Sequence, residues 1–140
     1  MKSLKLIIAF GLLILTSCTT HLKTIDSGKK IDTRLIGVWY GSEKDKQVDG
    51  MEKKWEMTRL VDGTFTLNFT FIENGQSQTS KETGNWWVEN GTFMEFHEVS
   101  GNTDMYKYKV LNNEQIKFIA KNISVDMASE NYEFIDTRKK

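Results

Sequence analysis

Apolar and polar residues alternate with period two through most of the chain after residue 34. Phe65, Leu67, Phe69 and Phe71 share one parity, and Thr64, Thr66, Asn68 and Thr70 share the other. This is the pattern of a strand with one buried face. Tyr106, Tyr108 and Val110 alternate with Lys107 and Lys109, and Ile116, Phe118 and Ala120 alternate with Lys117 and Lys121. Asp62-Gly63, Asn74-Gly75, Asn90-Gly91, Gly101-Asn102 and Asn112-Asn113 punctuate these runs. Such pairs supply the positive φ angles of tight hairpin turns. The pattern predicts eight strands, roughly 35–42, 52–61, 64–73, 81–89, 92–99, 104–111, 114–121 and 131–138. Strands at this spacing belong to a sandwich or barrel and not to βαβ units. Short connections favour up-and-down neighbours, and closure removes the exposed edges. The expected fold is therefore all-β, an eight-stranded antiparallel up-and-down barrel. Residues 122–130 form the one long connection, with room for a helical turn.

Parity assigns an interior set of Trp39, Met57, Phe65, Leu67, Phe69, Trp86, Met94, Phe96, Tyr106, Tyr108 and Phe118. Trp86 and Trp87 are adjacent, so parity alone does not choose between them. Arg59 shares a face with Trp55 and Met57. If that face points inward, Arg59 is a cation inside the barrel and a partner for a carboxylate head group; if Trp55 points outward, Arg59 is a surface residue.

The first residues follow a different pattern. Met1-Lys2-Ser3-Leu4-Lys5 is cationic, and Leu6 to Leu15 is almost unbroken apolar sequence. That length suits a secretory leader and is too short for a membrane span. Leu15-Thr16-Ser17-Cys18 then places the only cysteine of the chain at the end of the apolar run. The arrangement resembles the lipobox of bacterial lipoproteins. The resemblance implies removal of residues 1–17 and lipidation of Cys18, whose sulfur is the nucleophile that the chemistry needs. An ordinary cleaved leader with an incidental thiol is the alternative. At least two acyl chains would hold the protein stably, where one is marginal. No aspartate follows Cys18, which directs the expectation to the bacterial cell envelope and the periplasmic face of the outer membrane. With no second cysteine, the domain has no disulfide despite an oxidising compartment.

Beyond Cys18 lie 122 residues, enough for one domain. Without Lys2 and Lys5 they carry 17 basic and 19 acidic residues, a net charge of −2. Nothing in that balance calls for nucleic acid. Proline is absent, which suits uninterrupted ladders. Residues 18–33 are polar and weakly patterned and are expected to form a lipidated tether, with His21 solvated, leaving 34–140 as the barrel domain.

Gly37-Val38-Trp39 on the first strand and Arg138 at the end of the last resemble the signature of lipocalins and related calycins. The resemblance implies that Arg138 packs across Trp39 and closes the narrow end, so that Gly37, Trp39 and Arg138 are structural. It also implies a binding protein that holds or carries a small hydrophobic ligand. The short chain and the lack of a helix after the last strand set it apart from typical lipocalins.

Candidate ligand-lining residues are Arg59, Phe65, Phe69, Trp86, Phe96, Tyr106, Tyr108 and Phe118. An eight-stranded barrel either fills itself with side chains or holds one small ligand, and both remain open. Glu95 and His97 share a strand face, but two ligands do not make a zinc site, so no metal or other cofactor is expected. No serine, histidine and acid set and no free cysteine suggest a catalytic residue, so the chain is not expected to be an enzyme. Asn68, Asn90 and Asn122 head chance glycosylation sequons. The expected partners are the membrane, through Cys18, and a small hydrophobic molecule. The alternative function is a protein-interaction module, a hydrolase inhibitor or assembly accessory, with a filled barrel and an aromatic patch at Trp55 or Trp87 on its outer wall.

Overall fold

A computed structural model describes residues 20–46, 48–123 and 132–140. The leader, the lipobox and most of the long connection after residue 122 lie outside the described residues.

Ten strands run in chain order: β1 (Leu22–Thr24), β2 (Lys30–Asp32), β3 (Gly37–Lys44), β4 (Met51–Arg59), β5 (Thr64–Glu73), β6 (Gln76–Glu89), β7 (Thr92–His97), β8 (Thr103–Asn112), β9 (Gln115–Asn122) and β10 (Glu133–Arg138). From β3 onward every strand pairs antiparallel with the next. β10 returns to β3, with Thr137 opposite Tyr40 and Arg138 opposite Trp39. The result is the closed eight-stranded up-and-down barrel that the alternation predicts. The turns form as their residues dictate: Asn74 and Gly75, and likewise Asn90 and Gly91, all take positive φ. Two successive left-handed residues give the type I′ geometry that matches the right-handed twist of the flanking strands.

β6 is the longest strand, and no single neighbour covers it. It pairs with β5 from Gln76 to Asn85 and with β7 from Gly84 to Glu89. Where β5 stops, β2 takes over the vacated edge, with Lys30 opposite Val88. This corrects the reading of residues 18–33 as a tether. Leu22–Asp32 forms a hairpin, and a 3-10 helix at Thr33–Leu35 follows it. Ile31 and Leu35 are fully buried. Burying two such side chains contributes roughly 1.5–3 kcal/mol each, enough to dock a short segment that composition alone marks as polar.

The apolar core fills one end of the barrel. Trp39, Phe65, Trp86, Phe93, Ile116 and Phe118 pack there with Ile31 and Leu35. Trp86 points in, whereas Trp87 points out, half-buried beneath the Lys29 ammonium, which stands 3.3 Å from its ring centroid. On β7 the inward residues are Phe93, Glu95 and His97. Met94 and Phe96 take the outer face, and Phe96 stands opposite the exposed Asn85. The parity reading of that strand is therefore reversed.

Candidate functional site

The closed end is built around Trp39. Gly37 has a φ of +126°, and a Cβ there would lie 2.6 Å from Arg138 Nη1. The missing side chain is what lets the guanidinium lie across the indole, with its carbon 4.1 Å from the ring centroid. Arg138 Nε, Nη1 and Nη2 donate to the carbonyls of Asn113, Ile36 and Arg34 at 2.9, 2.8 and 2.9 Å. Trp39 Nε1 donates to the Leu35 carbonyl at 2.9 Å. The plug thus has no orphaned donor on Trp39, and its cation–π contact contributes roughly 0.5–2 kcal/mol.

Tyr108 belongs to this end. Its hydroxyl donates to Asp32 Oδ2 at 2.9 Å. Asp32 also accepts from Arg34 Nε at 3.0 Å and Nη2 at 2.6 Å. Burial pushes the Asp32 carboxyl up, but hydrogen bonds from the Arg34 side chain and backbone and from Tyr108 outweigh it, holding it below the usual carboxylate range. Burial and the charge of Asp32 push the Tyr108 hydroxyl up to about 12.

At the opposite end the described residues leave the interior unfilled. A cavity of about 190 Å³ lies above the apolar floor. Trp55, Met57, Leu67, Phe69, Phe71, Tyr106, Ile123 and Phe134 supply its apolar walls. Trp55 and Phe69 stack with centroids 6.3 Å apart, and Phe134 meets Trp55 edge-on at 5.3 Å. Gly41 makes room for this arrangement, because a Cβ there would overlap the Trp55 ring.

Charged groups stand among these walls in pairs. Trp55 Nε1 donates to Asp136 Oδ1 at 2.8 Å, and Arg59 Nη2 donates to Asp136 Oδ2 at 2.7 Å. Lys53 pairs with Glu43 at 3.2 Å, and Tyr132 donates to the other Glu43 oxygen at 2.8 Å. His97 Nδ1 lies 2.7 Å from Glu82 Oε2, and its Nε2 lies 3.2 Å from Glu95 Oε1 and 3.5 Å from Asp104 Oδ2. Burial works against protonation of His97, but the neighbouring carboxylates of Asp104, Glu95 and Glu82 prevail and raise its pKa to about 11. Burial pushes the Tyr106 hydroxyl well up, reinforced by Glu95 and Asp104. Burial also pushes the Tyr132 hydroxyl up, with its hydrogen bond to Glu43 in support.

The expected lining residues therefore divide. Arg59, Phe69 and Tyr106 border the cavity. Phe65, Trp86 and Phe118 lie in the floor beneath it. Tyr108 is at the plug and Phe96 is on the outer wall, so neither reaches a ligand. Arg59 points inward: its Nη2 is salt-bridged to Asp136, its carbon lies 5.0 and 5.1 Å from the Phe93 and Phe118 ring centroids, and its Nε and Nη1 are buried with no hydrogen-bond partner among the described residues. That pairing removes the free charge on which a carboxylate head-group role depended. Glu95 and His97, which share a strand face, both face the interior. Among the described residues no group of three or more histidine, cysteine or acidic side chains has the geometry of a metal site.

Sequence reasoning missed Asp136, Lys53, Glu82, Asp104 and Tyr132. Asp136 had a signal: it shares strand parity with Arg138, so placing Arg138 at the closed end places Asp136 inside. The others are polar residues on faces that the alternation rule assigns by their apolar members.

The barrel, its Gly37–Trp39–Arg138 plug and its cavity define a lipocalin-like barrel. A family model described as lipocalin-like domain matches residues 35–118, more than half of the chain, and the protein belongs to that family. Comparison with curated proteins gives no match.

Proposed function

We propose that this protein is a lipid-anchored binding protein of the bacterial cell envelope. In this reading Cys18 carries the anchor and the barrel holds a small, neutral, largely apolar molecule. The observation that carries it is the aromatic-walled cavity above a sealed floor. A volume of about 190 Å³ is closer to a dry apolar cavity of about 150 Å³ that accepts benzene than to the several hundred Å³ of drug-sized sites. The ligand, or the part of it held inside, is thus on the scale of one or two rings.

The charges support a neutral ligand over a fatty acid. Glu43, Glu82, Glu95, Asp104 and Asp136 face Lys53, Arg59 and a protonated His97. Five formal negative charges against three positive ones disfavour a further carboxylate in low-dielectric surroundings. The reading assigns no reaction to the site, since a histidine held protonated by three carboxylates is not available as a general base. The protein-interaction alternative needed Trp55 or Trp87 exposed on the outer wall. Trp55 lies inside and Lys29 covers Trp87, so no specific observation favours it.

Native mass spectrometry of the full chain, expressed with its leader and released in detergent, tests both halves. A covalent lipid mass on Cys18 and a non-covalent small mass lost on denaturation are expected. An unmodified Cys18 overturns the anchor; a barrel that takes up no neutral apolar probe overturns the ligand.

A further inference from the structure

We infer that the anchored protein stands with its closed end against the bilayer and its cavity mouth facing away from it. The inference rests on the proposed lipidation of Cys18 and goes beyond it, because an anchor alone allows any orientation.

The length of free chain carries the argument. The Thr33 backbone N–H and hydroxyl both donate to the His21 carbonyl, at 2.8 and 3.2 Å. Leu22 is the first residue of β1, and β2 is fixed to β6 at Lys30 and Val88. His21 is therefore held at the closed end, beside the Thr33–Leu35 helix. Only Thr19 and Thr20 separate it from Cys18. At about 3.6 Å per residue, the Cα of Cys18 lies within about 11 Å of His21. The mouth is much farther away. A strand of β5's length rises about 3.3 Å per residue and tilts about 40° in a barrel, which places the mouth about 25 Å beyond the plug. A linker of this length cannot lift the closed end by the roughly 25 Å that a mouth-down arrangement requires.

The surface agrees with this placement. Seven large apolar side chains are exposed among the described residues, and four of them (Leu22, Leu60, Val61 and Leu111) stand on the hairpin and turns of the closed end. Of the other three among the described residues, Val99 lies on a mouth loop, and Tyr40 and Ile135 lie on the wall. Apolar tips beside a lipid anchor are suited to the interfacial layer. The occupant of this surface is therefore the bilayer that holds the acyl chains. In this orientation the cavity exchanges its contents with the aqueous compartment, not directly with the lipid beneath it.

Position-dependent quenching tests the orientation. Cys18 is the only native cysteine, so a lipidated protein offers a clean background for one added thiol. Four full-length variants, V61C and L111C at the closed end and V99C and Q78C at the mouth, are labelled with a maleimide dye. Each is reconstituted into phosphatidylethanolamine–phosphatidylglycerol vesicles carrying a headgroup quencher of short range. Quenching several-fold stronger at Val61 and Leu111 than at Val99 and Gln78 is expected. Equal quenching, or stronger quenching at the mouth, overturns the orientation. The lipid mass on Cys18 and vesicle flotation are read on the same samples. A chain that floats but shows no closed-end preference refutes the orientation alone; a chain that neither gains lipid nor floats refutes the anchor and the orientation with it.

Discussion

The Trp55 indole and the Arg59 guanidinium share one carboxylate: Asp136 accepts from Trp55 through Oδ1 and from Arg59 through Oδ2, and it is fully buried. This contact ties β4 to β10 over the intervening β3 and fixes the ring that forms one wall of the cavity.

Removing Asp136 leaves a buried guanidinium without its counter-charge. Asp136→Ala is expected to lower the unfolding free energy by about 3–5 kcal/mol, whereas replacing both partners with apolar residues (Asp136→Leu with Arg59→Met) restores most of it. Urea denaturation of the two variants checks this. A cost below about 1 kcal/mol for the single change would show that the pair is not what holds the two strands together.

At the plug, Arg138→Lys keeps the charge but loses the planar stack and the three-way fork to Asn113, Ile36 and Arg34. A loss of about 1–3 kcal/mol is expected, seen as a fall in Tm, because Lys cannot reproduce that geometry. Gly37→Ala should destabilise through the same residue, since its Cβ enters the space of Nη1 and its φ is +126°. A melting temperature unchanged in both variants would remove the plug as a source of stability.

Gly41→Ala tests the wall without touching a charge. The new methyl overlaps the Trp55 ring and drives it toward the cavity. Titration with a neutral naphthylamine dye is expected to show weaker binding by about tenfold, corresponding to about 1.4 kcal/mol. Affinity equal to that of the parent chain would place binding elsewhere.

His97 gives the fold a pH dependence of definite sign. Its pKa is about 11 in the folded protein and about 6.5 in an unfolded chain. Between these values the folded state holds a proton that the unfolded state has released, so stability falls as pH rises. The contribution is complete below about pH 6.5 and is lost as pH approaches 11. Urea midpoints of the parent and His97→Gln chains at pH 6, 7.5 and 9 should converge as pH rises. A constant gap would mean that His97 is not held protonated.

Much of the barrel was legible because its strands obey alternation and its turns carry Asn-Gly or Asp-Gly. Gly37, Trp39 and Arg138 were readable as the plug through their resemblance to the lipocalin signature, not through alternation. The failures share a physical cause. Alternation assumes that polar residues face water, and in the mouth half of this barrel they do not. On β7 the apolar pair Met94 and Phe96 faces out while Glu95 and His97 face in, since those two find buried ionic partners on β6 and β8. The hairpin at Leu22–Asp32 was missed for a related reason: two apolar residues, Ile31 and Leu35, and one buried carboxylate dock a segment whose average composition is that of a linker.

The interior has two storeys, a packed aromatic floor beneath paired charges and a cavity, and this gives the scaffold a division of labour that selection can use. Substitutions of the cavity's apolar wall residues reshape it while the floor and the Asp136–Arg59 pair continue to hold the strands together.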